Sequence, residues 1–569
     1  MADFPYAGPS PRPTGLDDGF LACGRGIVEG LNHRQRQSLW RCHAVRQVRD
    51  MRNRGLCRRH DRSCESPGPT VFAPCGQRKR GHSTFRRLVM RMQRQTVLFA
   101  GVLLLACGAV LAQERRAPRT AEQNVRRFGA VGDGQADDTG AIQKAVEAGG
   151  VIRLPKGTYR ITRPIVIELD KVGHISGAGV GRLVMAGPGP ALKFVGTHFK
   201  SADPAGFSKD VWERQRMPLV DAVAIEGDHP EAIGIAANGT MQLTLTRLHI
   251  RGVLHGIHLV GNNRNVLISD CHLYENRGIG IFYDNVNLHQ SNITGSHISY
   301  NRGGGIVSRA GNVRNIHITG CDIESNMGPD TPPTANVLID CSGSPYGTGE
   351  VAITGCTIQH NNNSPDSANI RILGRSEDSP KLGRIREGNV TITGNVLSDV
   401  KVNVHLRDCR GVTLTGNTFW MGFTHNLLLE DCSNIILGPN NFDRNPRYNY
   451  GNSLQARNGL VVRDSEDCTL SGLHITNVWG EPAGLLLENC RRMNITNCTI
   501  LDCDNAGLLL RNVTDSRVSD CLIRDDRENA NSASLVVTGG RGNMIVHNLL
   551  GTAPRLAENT AHTAGNVHP

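Results

Sequence analysis

Four short segments carry side chains suited to acid–base work at near-constant intervals: Tyr274-Glu275-Asn276-Arg277, Ser299-Tyr300-Asn301-Arg302, Glu324-Ser325-Asn326 and Gln359-His360-Asn361. If each interval is one coil of a repeat, Glu275, Tyr300, Ser325 and His360 form a column beside Arg277 and Arg302. Stacked arginines repel unless an anion, or Glu275 and Glu324, compensates them. Glu275 and Glu324 would lie two coils apart, roughly 10 Å at the backbone, near the upper range for the two carboxyl groups of an inverting glycosidase. Alternatively, Tyr300 or His360 is the base that removes the C5 proton of a uronic acid, while Arg277 and Arg302 neutralise its carboxylate. For any single residue, an exposed polar turn is the stronger reading. A second group is aromatic: Phe419, Trp420, Phe423, Tyr448, Tyr450 and Trp479 fall close together in a chain with only 4% aromatics. Sugar rings stack on such faces, which makes Trp420, Tyr448, Tyr450 and Trp479 candidates for substrate binding. Packing beneath a loop over 443–458 competes with that assignment.

The element that must position these residues is a repeat. Strand-like units end in Leu248, Cys271, Ser296, Cys321, Cys356, Asn395, Asn417, Asn440, Leu473, Cys498, Cys521 and Asn548, with a basal step of 22–25 residues and a few longer ones. Apolar residues alternate within each unit, so strands fit and helices do not. A second series interleaves, as in Gly280-Ile281-Phe282-Tyr283 and Asn403-Val404-His405-Leu406. Several short strands per step, about twelve times over, predict an all-β parallel β-helix. Stacking puts equivalent residues ~4.8 Å apart. Thr or Ser stands two before most anchors, and Asn276, Asn301, Asn326 and Asn361 stand five after theirs. The cysteines read as small buried thiol stacks, since the eleven after Gln113 are odd in number. Asp284, Arg309, Asp340, Leu373, Arg407, Glu430, Arg463, Glu488 and Arg511 alternate in sign around one interruption, as a structural ion-pair ladder would. Loops are expected over 327–350 and 361–389, where they would wall a groove.

Upstream, Phe128-Gly129-Ala130-Val131-Gly132-Asp133-Gly134-Gln135-Ala136-Asp137-Asp138-Thr139 precedes a short amphipathic helix with Asp137 or Asp138 as its N-cap and Gly149-Gly150 as its stop. Such a helix covers the open end of a solenoid. The block, with the following GGVIRLPKGTYRIT, resembles the N-terminal motif of the pectate lyase superfamily. That resemblance covers about residues 124–550 and implies a right-handed parallel β-helix. It is specific for fold and weak for activity. The Asn-Thr-Asp, Gly-His-Gly and Arg-Ile-Lys motifs of polygalacturonases are absent, and the solenoid's Asp-Asp pairs, 137–138 and 525–526, lie near its ends.

Hydrophobic content of 39% supports a large core. Residues 1–89 hold 17 Lys and Arg against 7 Asp and Glu, and the remaining 480 residues hold 46 against 45. The body therefore offers no electrostatic case for nucleic acid. Residues 1–89 read as a non-native or disordered basic leader, 90–112 as a signal peptide, 113–123 as a linker and 551–569 as a C-terminal tail. A secreted or periplasmic monomer is expected, with membrane contact only through lipidation of Cys107. No cofactor is implied with certainty. Calcium is the candidate, through Asp502, Asp504, Asp525 and Asp526, although solvated turns explain these residues better. The leading expectation is a protein acting on polysaccharide, as uronic-acid lyase or glycoside hydrolase, with epimerase as a third option. The alternative is a non-catalytic carbohydrate-binding or structural surface solenoid.

Overall fold

The computed structural model describes residues 122–569 apart from 201, 202, 204, 205 and 529. These belong to the second of two units into which the chain divides, 109–569. The leader, the signal peptide, Cys107 and nearly all of the linker lie outside the described residues.

Three parallel sheets of 18, 16 and 15 strands account for the described fold. One coil runs Asn262–Ser269 in sheet 1, His272–Tyr274 in sheet 2 and Ile281–Asp284 in sheet 3, then returns to sheet 1 at Asn287–Thr294. Crossovers between parallel strands of one sheet are right-handed, so the chain is a right-handed parallel β-helix. Each of the twelve anchors immediately precedes a strand of sheet 2, and four further strands of that sheet lie upstream, beginning at Asp133–Asp137. The stretch expected as a tail also extends the solenoid. Arg555–Leu556 pairs with Val536–Val537, and Ala561–Ala564 pairs with Asn543–Val546.

Alternation sets the lumen. Val266 and Ile268 point inward and are buried, whereas Leu267 between them faces out. One inward column of sheet 2 runs Ile250, Leu273, Ile298, Ile323, Ile358, Leu397, Phe419, Phe442, Ile475. Phe419 and Phe442 stack at 4.5 Å inside it. Phe419 is thus lumen packing and leaves the aromatic surface group.

The corner between sheets 1 and 2 follows one rule. The Thr/Ser column is in register, with Thr294 beside Thr319 and Thr319 beside Thr354. The next residue takes positive φ, as Asp270, Gly295, Gly320, Gly355 and Asn497 do. Gly, Asn and Asp tolerate that conformation best. The anchor then turns inward. All eleven described cysteines are free and buried, and thiols such as that of Cys271 donate to nearby backbone carbonyls.

The asparagine ladder is longer than the sequence suggests, and its membership differs. Asn276 donates to Asn301 (2.8 Å), Asn301 to Asn326 (2.7 Å) and Asn326 to Asn336 (2.9 Å). It continues through Asn369 and Asn403 to Asn426. Asn361 is not a rung; its amide donates to the Met327 carbonyl instead. The switch has a steric cause. Asn336 opens a sheet 3 strand at the level where the preceding coil has Gly305, whose added Cβ would lie 2.8 Å from the Asn326 amide. A turn Asn requires a Gly there, and a strand Asn replaces both. The expected loops 327–350 and 361–389 accordingly contain sheet 3 strands, Ala335–Asp340 and Ala368–Leu373. Neither strand shows alternating burial, because its outward residues, Leu338 and Arg371 among them, are buried too.

At the N-terminus, α1 (Thr139–Glu147) lays Ile142, Ala145 and Val146 on the lumen. Asp137 accepts from the Thr139 N–H (3.0 Å), while Asp138 turns back to the N–H groups of Val131 and Gly132. The motif's aspartates thus tie the loop and helix together.

Candidate functional site

The positions of the expected column lie in register at the exit of sheet 2. Glu275, Tyr300, Ser325 and His360 each have φ between 52° and 59°. Farther along, that corner holds Asp399, Asn477 and Asp502, which adopt the conformation more readily. The Tyr300 hydroxyl donates to Glu324 (3.2 Å), whose other oxygen accepts from Gln359 (3.2 Å). The Glu324 charge raises the Tyr300 phenol, so this tyrosine is a proton donor here and a poor base. His360 Nδ1 lies 3.7 Å from Asp399, a carboxyl that burial pushes upward. Arg277 donates to the His229 carbonyl, and Arg302 lies 3.8 Å from Asp330. The arginines are therefore answered by groups other than Glu275 and Glu324. Glu275 faces Arg251 at 3.9 Å.

The aromatic candidates divide. Trp420 and Tyr448 pack at 4.4 Å, and Tyr450 is exposed. Trp479 has one face taken by the Arg444 guanidinium, 3.8 Å from the ring centre. Burial lowers Arg444 to about 10.

A second constellation lies on the outer face of sheet 3, bounded by loops entering the sheet (325–334, 360–367, 443–458) and leaving it (341–347, 374–387). Its central row is apolar at Phe282, Val307, Leu338, Leu428, Val461, Leu486 and Leu509, but polar at Arg371 and His405. Arg371 is 6% and His405 8% exposed. Arg371 donates to the Asp366 carboxylate (2.9 Å) and to His405 Nδ1 (3.1 Å). An arginine only donates, so Nδ1 is the acceptor and Nε2–H donates to Glu430 (2.9 Å). Burial also keeps this imidazole neutral. Glu430 reaches Arg463 at 3.7 Å.

The neighbouring row is small at Ala335, Ala368, Val402 and Gly459, with His425 between Val402 and Gly459. Burial, aided by Arg463, His405 and Arg457, lowers His425 to about 4. Its Nδ1 is buried without a partner among the described residues. A Cβ at Gly459 would lie 3.1 Å from the His425 ring and 3.3 Å from the Glu481 side chain. The two groups therefore flank one glycine. Burial raises Glu481, against the pull of Arg457 at 3.4 Å.

Sequence reasoning misses this group because its members are scattered from 366 to 481. A signal exists in the strand units. The middle position, apolar in Asn426-Leu427-Leu428-Leu429-Glu430, is charged in Asn369-Ile370-Arg371-Ile372-Leu373 and polar in Asn403-Val404-His405-Leu406-Arg407. The alternating column is in register from Asp284 to Arg511. Within it, Glu430–Arg463 and Glu488–Arg511 (2.8 Å) close as ion pairs, while Asp284 instead takes His258 (2.9 Å).

The aspartates considered for calcium are held by cations or backbone. Arg527 binds Asp504 (2.9 Å) and Asp525 (2.7 Å), Arg524 binds Asp526 (2.6 Å), and Asp502 accepts the Asp526 N–H (2.9 Å). Among the described residues, no group of three or more His, Cys, Asp or Glu is placed to hold a metal ion.

Residues 123–363 match the family described as "Rhamnogalacturonase A/epimerase, pectate lyase-like". That segment is pectate lyase-like in sequence. Residues 352–563 match a second description, "Periplasmic copper-binding protein (NosD)". Among curated proteins it is 42% identical over 74 residues to mannuronan C5-epimerase AlgE2 of Azotobacter vinelandii, covering 11% of this chain and 7% of that protein. It is 41% identical over 76 residues to alginate lyase 7 of the same organism, covering 11% and 9%. The chain thus spans less than a tenth of the length of these relatives. Among solved structures, the tailspike of Escherichia coli bacteriophage HK620 in complex with pentasaccharide aligns with TM-score 0.48 and 11% identity, over 76% of this chain and 83% of that one. The AlgE6 A-module of A. vinelandii aligns with TM-score 0.36 and 16% identity, over 78% and 99%.

Proposed function

We propose that this protein acts on an acidic polysaccharide laid across the outer face of sheet 3, by removing the proton α to a uronate carboxylate. This is lyase or C5-epimerase chemistry. The observation that carries the reading is His425, a half-buried imidazole held neutral by its surroundings, with an unpartnered Nδ1 in the field of Arg457 and Arg463. The C5 proton passes to His425, and the arginines stabilise the negative charge that develops on the carboxylate. Glu481, biased toward its protonated form by burial, gives its proton to the departing glycosidic oxygen in a lyase. An epimerase instead returns a proton to the opposite face of C5. The Tyr300–Glu324 and His360–Asp399 pairs supply polar subsites on the turn edge, and Trp420, Tyr448 and Tyr450 supply stacking surface. Export is part of the proposal and rests on the pattern at 90–112.

A non-catalytic binding solenoid is the second reading. It is favoured by the saturation of Arg371, which has both Asp366 and His405 as partners.

Incubation with a panel of polyuronates and neutral polysaccharides in D2O tests the reading. Ultraviolet-absorbing unsaturated ends identify a lyase, and deuterium at C5 without chain cleavage identifies an epimerase. New reducing ends without unsaturation, or binding with neither reaction, overturn it.

A further inference from the structure

An open groove on the outer face of sheet 1 has a volume of about 570 Å³. That size is typical of small-molecule sites. Its wall is a run of amides, one per coil: Gln242, Asn265, Gln290 and Asn315. Each sits at a positive-φ bulge, with φ of 58°, 54°, 70° and 60°. Asparagine takes this conformation readily and glutamine does not, so the two glutamines stand there against backbone preference. The Asn265 amide donates to the Gln290 carbonyl oxygen, tying two rungs together. Gln242 Oε1 is buried and has no hydrogen-bond partner among the described residues. A buried acceptor without a donor is costly unless something supplies one. Leu267, 44% exposed, and Met217, 62% exposed, add apolar surface. No carboxylate, lysine or arginine lines the groove.

We infer that this face is a separate binding site for a neutral oligosaccharide. Amides both donate and accept, which suits sugar hydroxyls. The rungs repeat about every 4.8 Å along the stacked strands, so successive sugars of an extended chain meet successive amides. Leu267 and Met217 cover the apolar faces of the rings. A polyuronate meets no lysine or arginine here, only the His317 imidazole, which separates this site from the arginine-lined sheet 3 face. The site stands whether or not the chain is catalytic.

Isothermal titration of the full chain with cellohexaose, mannohexaose and maltohexaose, and with an oligouronate as counter-probe, tests the inference. Two variants accompany it. Asn292→Arg projects from an exposed outward position into the groove. Gln242→Asn keeps a residue that tolerates positive φ but withdraws the unpartnered oxygen. At least one neutral hexaose is expected to bind. Its Kd should rise about tenfold in Asn292→Arg and several-fold in Gln242→Asn, in line with the loss of one or two hydrogen bonds. Oligouronate binding should be unchanged in both. Circular dichroism and thermal melts confirm that the variants are folded. The inference is overturned if no neutral hexaose binds at millimolar concentration, if both folded variants bind as the parent does, or if neutral-sugar binding is abolished by His425→Gln instead.

Discussion

At the scale of single residues, His425 and His405 share a surface but have opposite hydrogen-bond states. His405 is held at both ring nitrogens by Arg371 and Glu430, whereas His425 keeps one nitrogen free. His425→Gln should therefore reduce turnover on a polyuronate by about 10²-fold or more while changing Kd little, as initial rates and titration would measure. Because His425 sits near 4, kcat/KM should rise as pH climbs through about 4, and in a lyase it should fall again as the raised Glu481 carboxyl ionises. The same burial predicts acid sensitivity. Both imidazoles are depressed below the ordinary value of 6.5. Between the folded and unfolded values the unfolded chain binds more protons, so stability is lost as pH falls from about 6.5 toward 4. Thermal melts across that window should show Tm dropping, less steeply in His425→Gln. Gly459→Ala should lower activity, because the added methyl crowds the His425 ring and the Glu481 side chain as well as the Thr424 carbonyl, and a thermal melt should show only a modest loss of stability.

At the scale of the element, the strand and its corners are legible in the sequence while the outer face of sheet 3 is not. The Thr/Ser column and the alternating charges recur at nearly one step, and pairing puts them side by side. Loops inserted between sheets 2 and 3 break the count, which is why Asn336 takes the rung expected of Asn361. The site eludes sequence reading for a related reason: Arg371, His405, His425 and Glu481 meet through stacking, and no local spacing joins them. The Tyr300–Glu324 contact is legible because it joins adjacent coils at a constant step. The amide ladder should be stability-determining. Asn369 is fully buried, accepts from Asn336 and donates to Asn403 and to the Ser398 carbonyl. Asn369→Ala strips partners from buried groups on two neighbouring coils and should cost about 2–4 kcal/mol, measurable as a lower denaturant midpoint.

For the molecule as a whole, one lumen of stacked apolar columns from Val125 to Leu550 holds the coils together without a cross-link. The eleven thiols between Cys271 and Cys521 should remain unreactive to a thiol reagent under native conditions and titrate only in denaturant, with reducing agents leaving Tm unchanged. A disulfide found among them would contradict the packing described. The passage from sheet 2 to sheet 3 has a further consequence. In one coil a single residue, Asp399, joins Val396–Ser398 to Val400–Arg407, yet in another the chain travels from Phe442 to Gly459 before re-entering the same sheet. Excursions of such unequal length are accommodated because each returning strand pairs in register with its neighbour, Val400 beside Gly422 and Gly459 beside His425. This seam is where foreign segments could be grafted, letting the molecule's ligand preference drift while its frame stays put.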